Sequence, residues 1–555
     1  MTTPLTDMSA LSPSPGVSTA ATWRAAWRGG PEMGSPVLLG WKELVTAALS
    51  GALLSLAFPG FDAPSLLAWL ALTPLCALTF VPRRRRDMVK LFAAFGAGFY
   101  LSLLYWFLAM HPLTWLGFSE GASLAIVCGA WLAASGLLVT QLAALGLIFG
   151  GMTRHLSKPG AWHVAALAAA WVSLEWLTSL GTFGFTWGNL ALTQVAGRVF
   201  VQAADLVGPF PIAGVLVAVN GLLALAVVPA VVGAPDRQAW RPVTAALLLV
   251  CALGGYGVWQ TTRPIPSGTF SVSIVQGNIA GSDKWTRERG AIHRMADKYL
   301  GLSSEQPNSN LVLWPETAMP EFLRNNPTLL ERLRAAAVRE GRAYMFGTLD
   351  WEGERESLKL YNAVTAIDGT GRLLGFDYKR HLVPYGEYVP ARDWMPAFLM
   401  SMNIVGHDYY PGQVPHLFEF PFGKVGAGVC YDGIFPDAMR PVVQGGAQVL
   451  AIVTNDAWYK DTAAPRVLLA HAALRAIESR RWVLRAANTG ISAVIDPTGR
   501  VASQTPVFVD AALTAQAGIR DDITPYVRFG DWLSALCTLW VLGALGVGWI
   551  RTRKT

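Results

Sequence analysis

The stretch 423-GKVGAGVCYDGIFPDAMRPVVQGG-446 runs from small and β-branched residues, through Cys430, into a turn and a helix-like segment. A strand that turns sharply into a helix lifts its last residue to the sheet edge, where a nucleophile can face a helix N-terminus. The dipole of that helix is expected to favour the Cys430 thiolate. A buried structural cysteine is the alternative, since free cysteines usually pack as small hydrophobes. The runs around this stretch alternate in the same way. SVSIVQGN, NLVLWPET, AYMFGTLDW, YNAVTAID and AQVLAIVTND are strand-like, rich in Val, Ile and aromatics, whereas LLERLRAAAVREG and APRVLLAHAALRAIESRRW carry apolar residues at three- and four-residue spacing. Residues 261–530 are therefore expected to form one layered α/β domain without internal repeats.

The rest of the chain belongs to another solvent. Of the 555 residues 52% are hydrophobic, and the mean hydropathy is +0.36, too apolar for a set of soluble domains. A spanning helix needs roughly 20 apolar residues. Eight candidate blocks occur at about 43–59, 63–81, 89–110, 121–151, 161–180, 207–233, 242–260 and 531–550. Residues 41–260 read as a bundle of seven helices, with an eighth at 531–550 and a short tail at 551–555. Positive charge alternates between the loops: RRRR at 83–86, Arg154 with Lys158, Arg237 with Arg241, and the tail Arg551, Arg553 and Lys554 fall on one side. FPGFDAP and HPLTWLGFSEGAS, on the other side, carry no Lys or Arg, and the long loop 181–206 carries only Arg198. The positive-inside rule puts the basic side in the cytoplasm and residues 261–530 outside.

Residues 1–40, rich in Pro, Ser, Thr and Gly, read as a mobile cytoplasmic tail and not as a cleavable signal peptide. The net charge of +7 comes from clusters beside apolar blocks, so it is topological and does not indicate nucleic acid. Cys76, Cys128, Cys251 and Cys537 lie in apolar blocks, leaving Cys430 alone in the polar domain, with no disulfide there and no metal-ligand spacing.

Two further residues suit acyl chemistry. Glu316 in LVLWPETAMP stands where an apolar strand stops, placed either for general base work or as an ordinary carboxylate at a helix start. Lys379 in FDYKRHLVPYGEYVP could hold a developing oxyanion, or be a solvated loop lysine, and Glu387 could orient it. His381, His407, His416 and His471 match no Cys–His signature and read as structural. Trp285 and Trp458 could line a substrate path or belong to the core. Glu175, in the apolar run AAWVSLEWLTSL, is expected to be functional or paired inside the bundle, with no partner legible. Pro, Met and Gly content over 390–415 suggests a mobile lid.

Glu316 in WPET, Lys379 in YKRHLVPYGEYVP and Cys430 in GVCYD form an ordered set that resembles the Glu-Lys-Cys triad of the nitrilase superfamily. With helices on both sides of the domain, the resemblance narrows to the bacterial apolipoprotein N-acyltransferase family. QGNI at 276–279, Trp285, TNDAWY at 454–459 and AANTGISAVIDPTG at 486–499 extend it over nearly the whole chain from about residue 40. It implies an αββα sandwich on a multi-pass bundle in the bacterial inner membrane, with the sandwich in the periplasm. It implies an acyl chain passed from the sn-1 position of a phospholipid, typically phosphatidylethanolamine, through a Cys430 thioester to the α-amino group of a diacylglyceryl-cysteine on an apolipoprotein. Glu316 would be the base, Lys379 the oxyanion stabiliser with the N–H after Cys430, and Glu387 a second acid, with no metal or cofactor. Tyr431 matches the family motif, but Asp432 stands where the family usually has Glu. The alternatives are a membrane-anchored amidase of the same superfamily and a transporter with an accessory domain.

Overall fold

The computed structural model describes Trp23, Trp27 and residues 37–553, except 115–116, 157, 182, 234–235, 266–267, 285–287, 289, 355–356, 391 and 393–406. Trp285, most of the tail at 1–40 and most of the lid at 390–415 lie outside the described residues.

Helices come first in the chain, then a region of alternating strands and helices, then a last helix at Trp532–Arg553. Among the described residues, twelve strands build two six-stranded sheets. The first contains β1 (Gly268–Gln276), β2 (Leu311–Leu313), β3 (Ala343–Glu352), β4 (Lys359–Ile367), β5 (Leu373–Tyr378) and β12 (Ala511–Ile519), in the order β12-β1-β2-β3-β4-β5. The second holds β6 (Leu417–Phe420), β7 (Gly423–Val429), β8 (Val449–Thr454), β9 (Trp482–Ala487), β10 (Ala493–Ile495) and β11 (Val501–Gln504), ordered β11-β10-β9-β8-β7-β6. In each, three neighbours are parallel, β1-β2-β3 and β7-β8-β9, and the flanking pairs are antiparallel.

Strand periodicity sorts the side chains into layers. Val272, Ile274, Leu311 and Leu313 meet Val425, Ala427, Val449 and Ala451 between the sheets. The intervening Val275 and Val312 point outward onto helices Ala291–Ser304 and Pro327–Glu340. On the second sheet Leu450 and Ile452 point outward onto helices Pro436–Gln444 and Ala464–Ser479. That layer is not solvated: Met439, Val443, Leu468 and Ala472 share one apolar cluster with bundle residues such as Trp187, Leu190 and Val201. The sandwich therefore rests on the bundle through the helices behind its second sheet.

Among the described residues, five helical segments are long and apolar enough to cross a membrane: Arg85–Met110, Glu120–Thr153, Pro209–Val231, Trp240–Thr262 and Trp532–Ile550. This is fewer than the eight blocks counted from the sequence, and each shortfall has a local cause. Trp41–Ser55 is an α-helix of 15 residues. The 63–81 block is broken into a 3-10 turn at Ser65–Trp69 after Pro64 and a seven-residue helix at Thr73–Thr79 with Pro74 in its first turn. Ala161–Ser179 has the length, but His163 and Glu175 dilute its apolar character. Asn220 satisfies the backbone opened by the break: its Oδ1 accepts from Leu72 N–H at 3.0 Å, and its Nδ2 donates to the Ala68 carbonyl at 3.0 Å. Glu175 also finds its partners, accepting from Trp171 Nε1 at 2.9 Å, Asn189 Nδ2 at 2.8 Å and the Leu190 N–H at 3.2 Å. It ties its helix to the 181–194 segment.

Candidate active site

β2 is only three residues long because Pro315 closes it and Thr317 adopts a left-handed φ of 43°. The chain is held there by β3: Trp314 N–H donates to the Met345 carbonyl at 2.9 Å, and Gly347 N–H to the Pro315 carbonyl at 3.1 Å. A side chain at Gly347 would overlap the backbone of Glu316 and Thr317, so glycine lets β3 approach this closely. Glu316 is thereby fixed and buried at the strand end, where its Oε1 accepts from Asn362 Nδ2 at 2.8 Å and faces Lys379 Nζ at 3.4 Å.

Lys379 follows β5 and is 1% exposed, so the solvated-loop alternative fails. Its Nζ donates to Glu387 Oε1 at 2.9 Å. Glu387 accepts from Asn362 Nδ2 at 2.9 Å and, through Oε2, from the Val383 N–H at 2.9 Å. Burial alone would push the Lys379 ammonium down, but Glu387 and then Glu316 beside it hold it well above the usual lysine range.

Cys430 ends β7 and opens the 3-10 turn Cys430–Ile434, with a left-handed φ of 48°. A cysteine pays strain to stand there, as nucleophile elbows do. Thr186 Oγ1 at 2.9 Å and Arg475 Nη1 at 3.2 Å both donate to the Ile434 carbonyl and brace the turn. The expected thiolate is not what this environment favours: burial first, and then the charge of Glu316, push the Cys430 thiol up to about 12 against the pull of Lys379. The α-helix beyond the elbow begins only at Pro436, past the 3-10 turn, so its dipole lies a turn away.

The two residues after Cys430 link the turn to its surroundings. Tyr431 OH donates to the Gly184 carbonyl of the bundle at 3.1 Å. Asp432, fully buried, accepts from the N–H groups of His381 at 2.7 Å, Arg380 at 3.1 Å and Val429 at 3.0 Å. It stitches the backbone just after Lys379 to the strand that carries Cys430. Trp458 is half-exposed in the turn Asp456–Tyr459, not in the core. Of the histidines, His381 stacks on Phe435, His416 bonds the Leu374 carbonyl, His471 is buried, and His407 is exposed.

Several residues of the site were not singled out in the sequence, Asp456 among them although it lies in TNDAWY at 454–459. Asn362 bridges both carboxylates from within an apolar strand. Buried Asp456 pairs with Arg485 Nη2 at 2.7 Å and accepts from Thr454 Oγ1 at 2.7 Å. Lys284 reaches the Glu316 main chain. Asn362 could have been singled out as an amide in YNAVTAID, but Lys284 looks like any surface lysine in sequence.

Residues 271–521 match the carbon-nitrogen hydrolase family, and residues 50–222 match the apolipoprotein N-acyltransferase N-terminal domain. The apolipoprotein N-acyltransferase of Gloeobacter violaceus is 33% identical over 91% of this chain and 94% of its own length. That of Geobacter metallireducens is 29% identical over 92% of this chain and 96% of its own. Among solved structures, an amidase from Nesterenkonia sp. is similar at 20% identity and a TM-score of 0.35, covering 47% of this chain and 92% of that one. A carbon-nitrogen hydrolase sandwich, a matching N-terminal bundle and full-length relatives under one name together make this chain a member of the apolipoprotein N-acyltransferase family.

Proposed function

We propose that this chain moves a fatty acyl group from a membrane phospholipid, through a thioester on Cys430, to the α-amino group of a diacylglyceryl-cysteine on an apolipoprotein. As Cys430 Sγ attacks the sn-1 ester carbonyl of a donor such as phosphatidylethanolamine, Glu316 takes the thiol proton. Lys379 and the N–H of Tyr431 receive the oxyanion. Collapse breaks the ester C–O bond; the glycerol oxygen takes the proton from Glu316 and leaves as lysophospholipid. The acceptor amine then attacks the thioester and loses a proton to Glu316, and the released thiolate is reprotonated. Splitting the transfer lowers each barrier. A thiol held near 12 suits this order, because it ionises only as its proton passes to a base. Glu387 aims Lys379, Asp432 and Tyr431 fix the turn, and Trp458 flanks the route for the acyl chain.

One observation carries the reading: the turn bearing Cys430 is braced from the bundle, by Thr186 on the Ile434 carbonyl and by Gly184 on Tyr431. A donor whose chains stay in the bilayer can reach a nucleophile set on such a floor. An amidase using its helices only as an anchor needs no such contact. We further infer that the short helix Trp41–Ser55, the broken segment 65–79 and the helix Ala161–Ser179 complete an eight-crossing bundle spanning 41–260 and 531–550. Basic loops then face the cytoplasm, and 261–530 lies on the periplasmic side of the inner membrane. Purified protein in phosphatidylethanolamine vesicles with a diacylglyceryl-cysteine peptide should yield N-acylated peptide and lysophospholipid in equal amounts. Hydrolysis of a soluble amide without phospholipid, and no N-acylated peptide, would favour the amidase.

A further inference from the structure

The helix Ala464–Ser479 buries two side chains of opposite charge behind the Cys430 turn. Arg475 is 2% exposed and Glu478 3%. Their i,i+3 spacing places them side by side on the helix, and Arg475 Nη2 donates to Glu478 Oε1 at 2.7 Å. The other arm of the guanidinium, Nη1, donates to the Ile434 carbonyl at 3.2 Å. Arg475 Nε has no partner among the described residues, so the guanidinium is aimed by Glu478 on one side and by Ile434 on the other. A buried ion pair is often no more stabilising than apolar side chains of the same volume. What this pair supplies is direction.

Three other elements bring charged or titratable groups towards Glu478. Arg440 comes from the helix Pro436–Gln444, Tyr526 from the helix Pro525–Phe529, and Asp531 from just before the last helix. Those groups engage one another: Tyr526 OH donates to Asp531 at 3.1 Å, and Arg440 lies over the Tyr526 ring at 6.0 Å. Arg480, at the end of the same helix as Glu478, turns to Asp205 at 2.7 Å. His471, one turn before Arg475, is held well below the usual imidazole range by burial and then by Arg475, so it adds no charge. We propose that Glu478 is a positioning residue for the transfer: it holds Arg475 on the Ile434 carbonyl and so fixes the turn that presents Cys430. Burial, the larger effect, pushes the Glu478 carboxyl up to about 7 against the pull of Arg475. The carboxylate that aims Arg475 is therefore present above that pH and lost below it.

This inference rests on Cys430 as the acylated nucleophile, and the test separates the two. Single-turnover acylation of Cys430 in phosphatidylethanolamine vesicles would be followed by intact mass against pH for wild type, Glu478→Gln, Arg475→Met and the double variant. Gln has the shape of the protonated acid, so it disturbs the fold no more than acidifying the wild type does. Dividing the wild-type rate by the Gln rate cancels every titration the two share. That ratio should stand near one well below pH 7 and rise to roughly tenfold well above it, the worth of one hydrogen bond to a charged group. Adding Glu478→Gln to Arg475→Met should slow acylation no further, because the carboxylate acts through Arg475. If Arg475→Met does not fold, the ratio decides alone. A ratio level with pH, or a double variant slower than Arg475→Met by the full Gln factor, would overturn the inference and leave the pair as packing. A wild-type protein that forms no Cys430 adduct at any pH would overturn the nucleophile assignment, and this inference with it.

Discussion

At pH 7 a thiol with a pKa of about 12 is ionised to roughly one part in 10^5, so Cys430 depends on a neighbouring base more than a surface cysteine would. Glu316→Gln is expected to slow acylation by roughly 10²–10⁴. Its remaining rate should rise about tenfold per pH unit through the range 7–9, because thiolate then forms only by free ionisation of a thiol that burial, the larger cause, still pushes up. A flat profile would contradict this. Asp432 makes a second claim testable at one residue. Removing a carboxylate that accepts three backbone N–H groups leaves buried donors bare, at about 1–3 kcal/mol each. Asp432→Ala should lower the unfolding temperature and slow acylation together; thermal melts and single-turnover rates check it. Singly, Glu316, Lys379 and Cys430 each left a structural alternative open in sequence; only together, as an ordered set in WPET, YKRHLVPYGEYVP and GVCYD, did they resemble the nitrilase triad. Lys284, Asn362 and Asp456 were not legible, because one polar residue in a strand or turn shows neither burial nor partner in sequence. The raised Cys430 thiol was equally hidden, since burial and the Glu316 charge come from distant segments.

Elements bring those residues together, and the turn Cys430–Ile434 is held from two sides. Thr186 on the bundle and Arg475 on the helix Ala464–Ser479 converge on the same Ile434 carbonyl. Thr186→Val removes one of two donors, so a loss of about 0.5–1.5 kcal/mol is expected. Acylation should slow even though the substituted residue lies about 245 positions from the nucleophile. An unchanged acylation rate in a folded variant would count against bracing from the bundle. Val, Ile and aromatic content made six of the twelve described strands readable in advance, β1 to β4, β7 and β8, while the two-sheet arrangement followed only from the resemblance. Window hydropathy could not show the break at 63–81, where Pro64 and Pro74 divide an apolar block and Asn220, over 140 residues away, receives the opened backbone.

At the scale of the whole molecule, sandwich and bundle are joined by a buried ion pair. Arg480 caps the helix Ala464–Ser479 and bonds Asp205 through Nε at 2.9 Å and Nη2 at 2.7 Å. Gln202 and Tyr256 complete the network: Gln202 Nε2 donates to the Thr498 carbonyl and Tyr256 OH to Asp205. Breaking one side of such a pair strands a buried charge, so Asp205→Ala should destabilise the protein by about 3–5 kcal/mol. It should also expose the 480–500 region to protease before the sandwich core unfolds; limited proteolysis at rising temperature checks this. The order of helices and α/β domain could be read from composition, whereas the seam between them, built from side chains 275 or more positions apart, could not.

The claim on which all three scales depend is that Cys430 carries the acyl group. Intact-mass spectrometry of the purified protein after incubation with phosphatidylethanolamine, beside Cys430→Ala, tests it most directly. The expected result is a fatty-acyl adduct on the wild type, absent in the variant and discharged by a diacylglyceryl-cysteine peptide. A folded wild type that stays unmodified while soluble amides are hydrolysed would contradict the account.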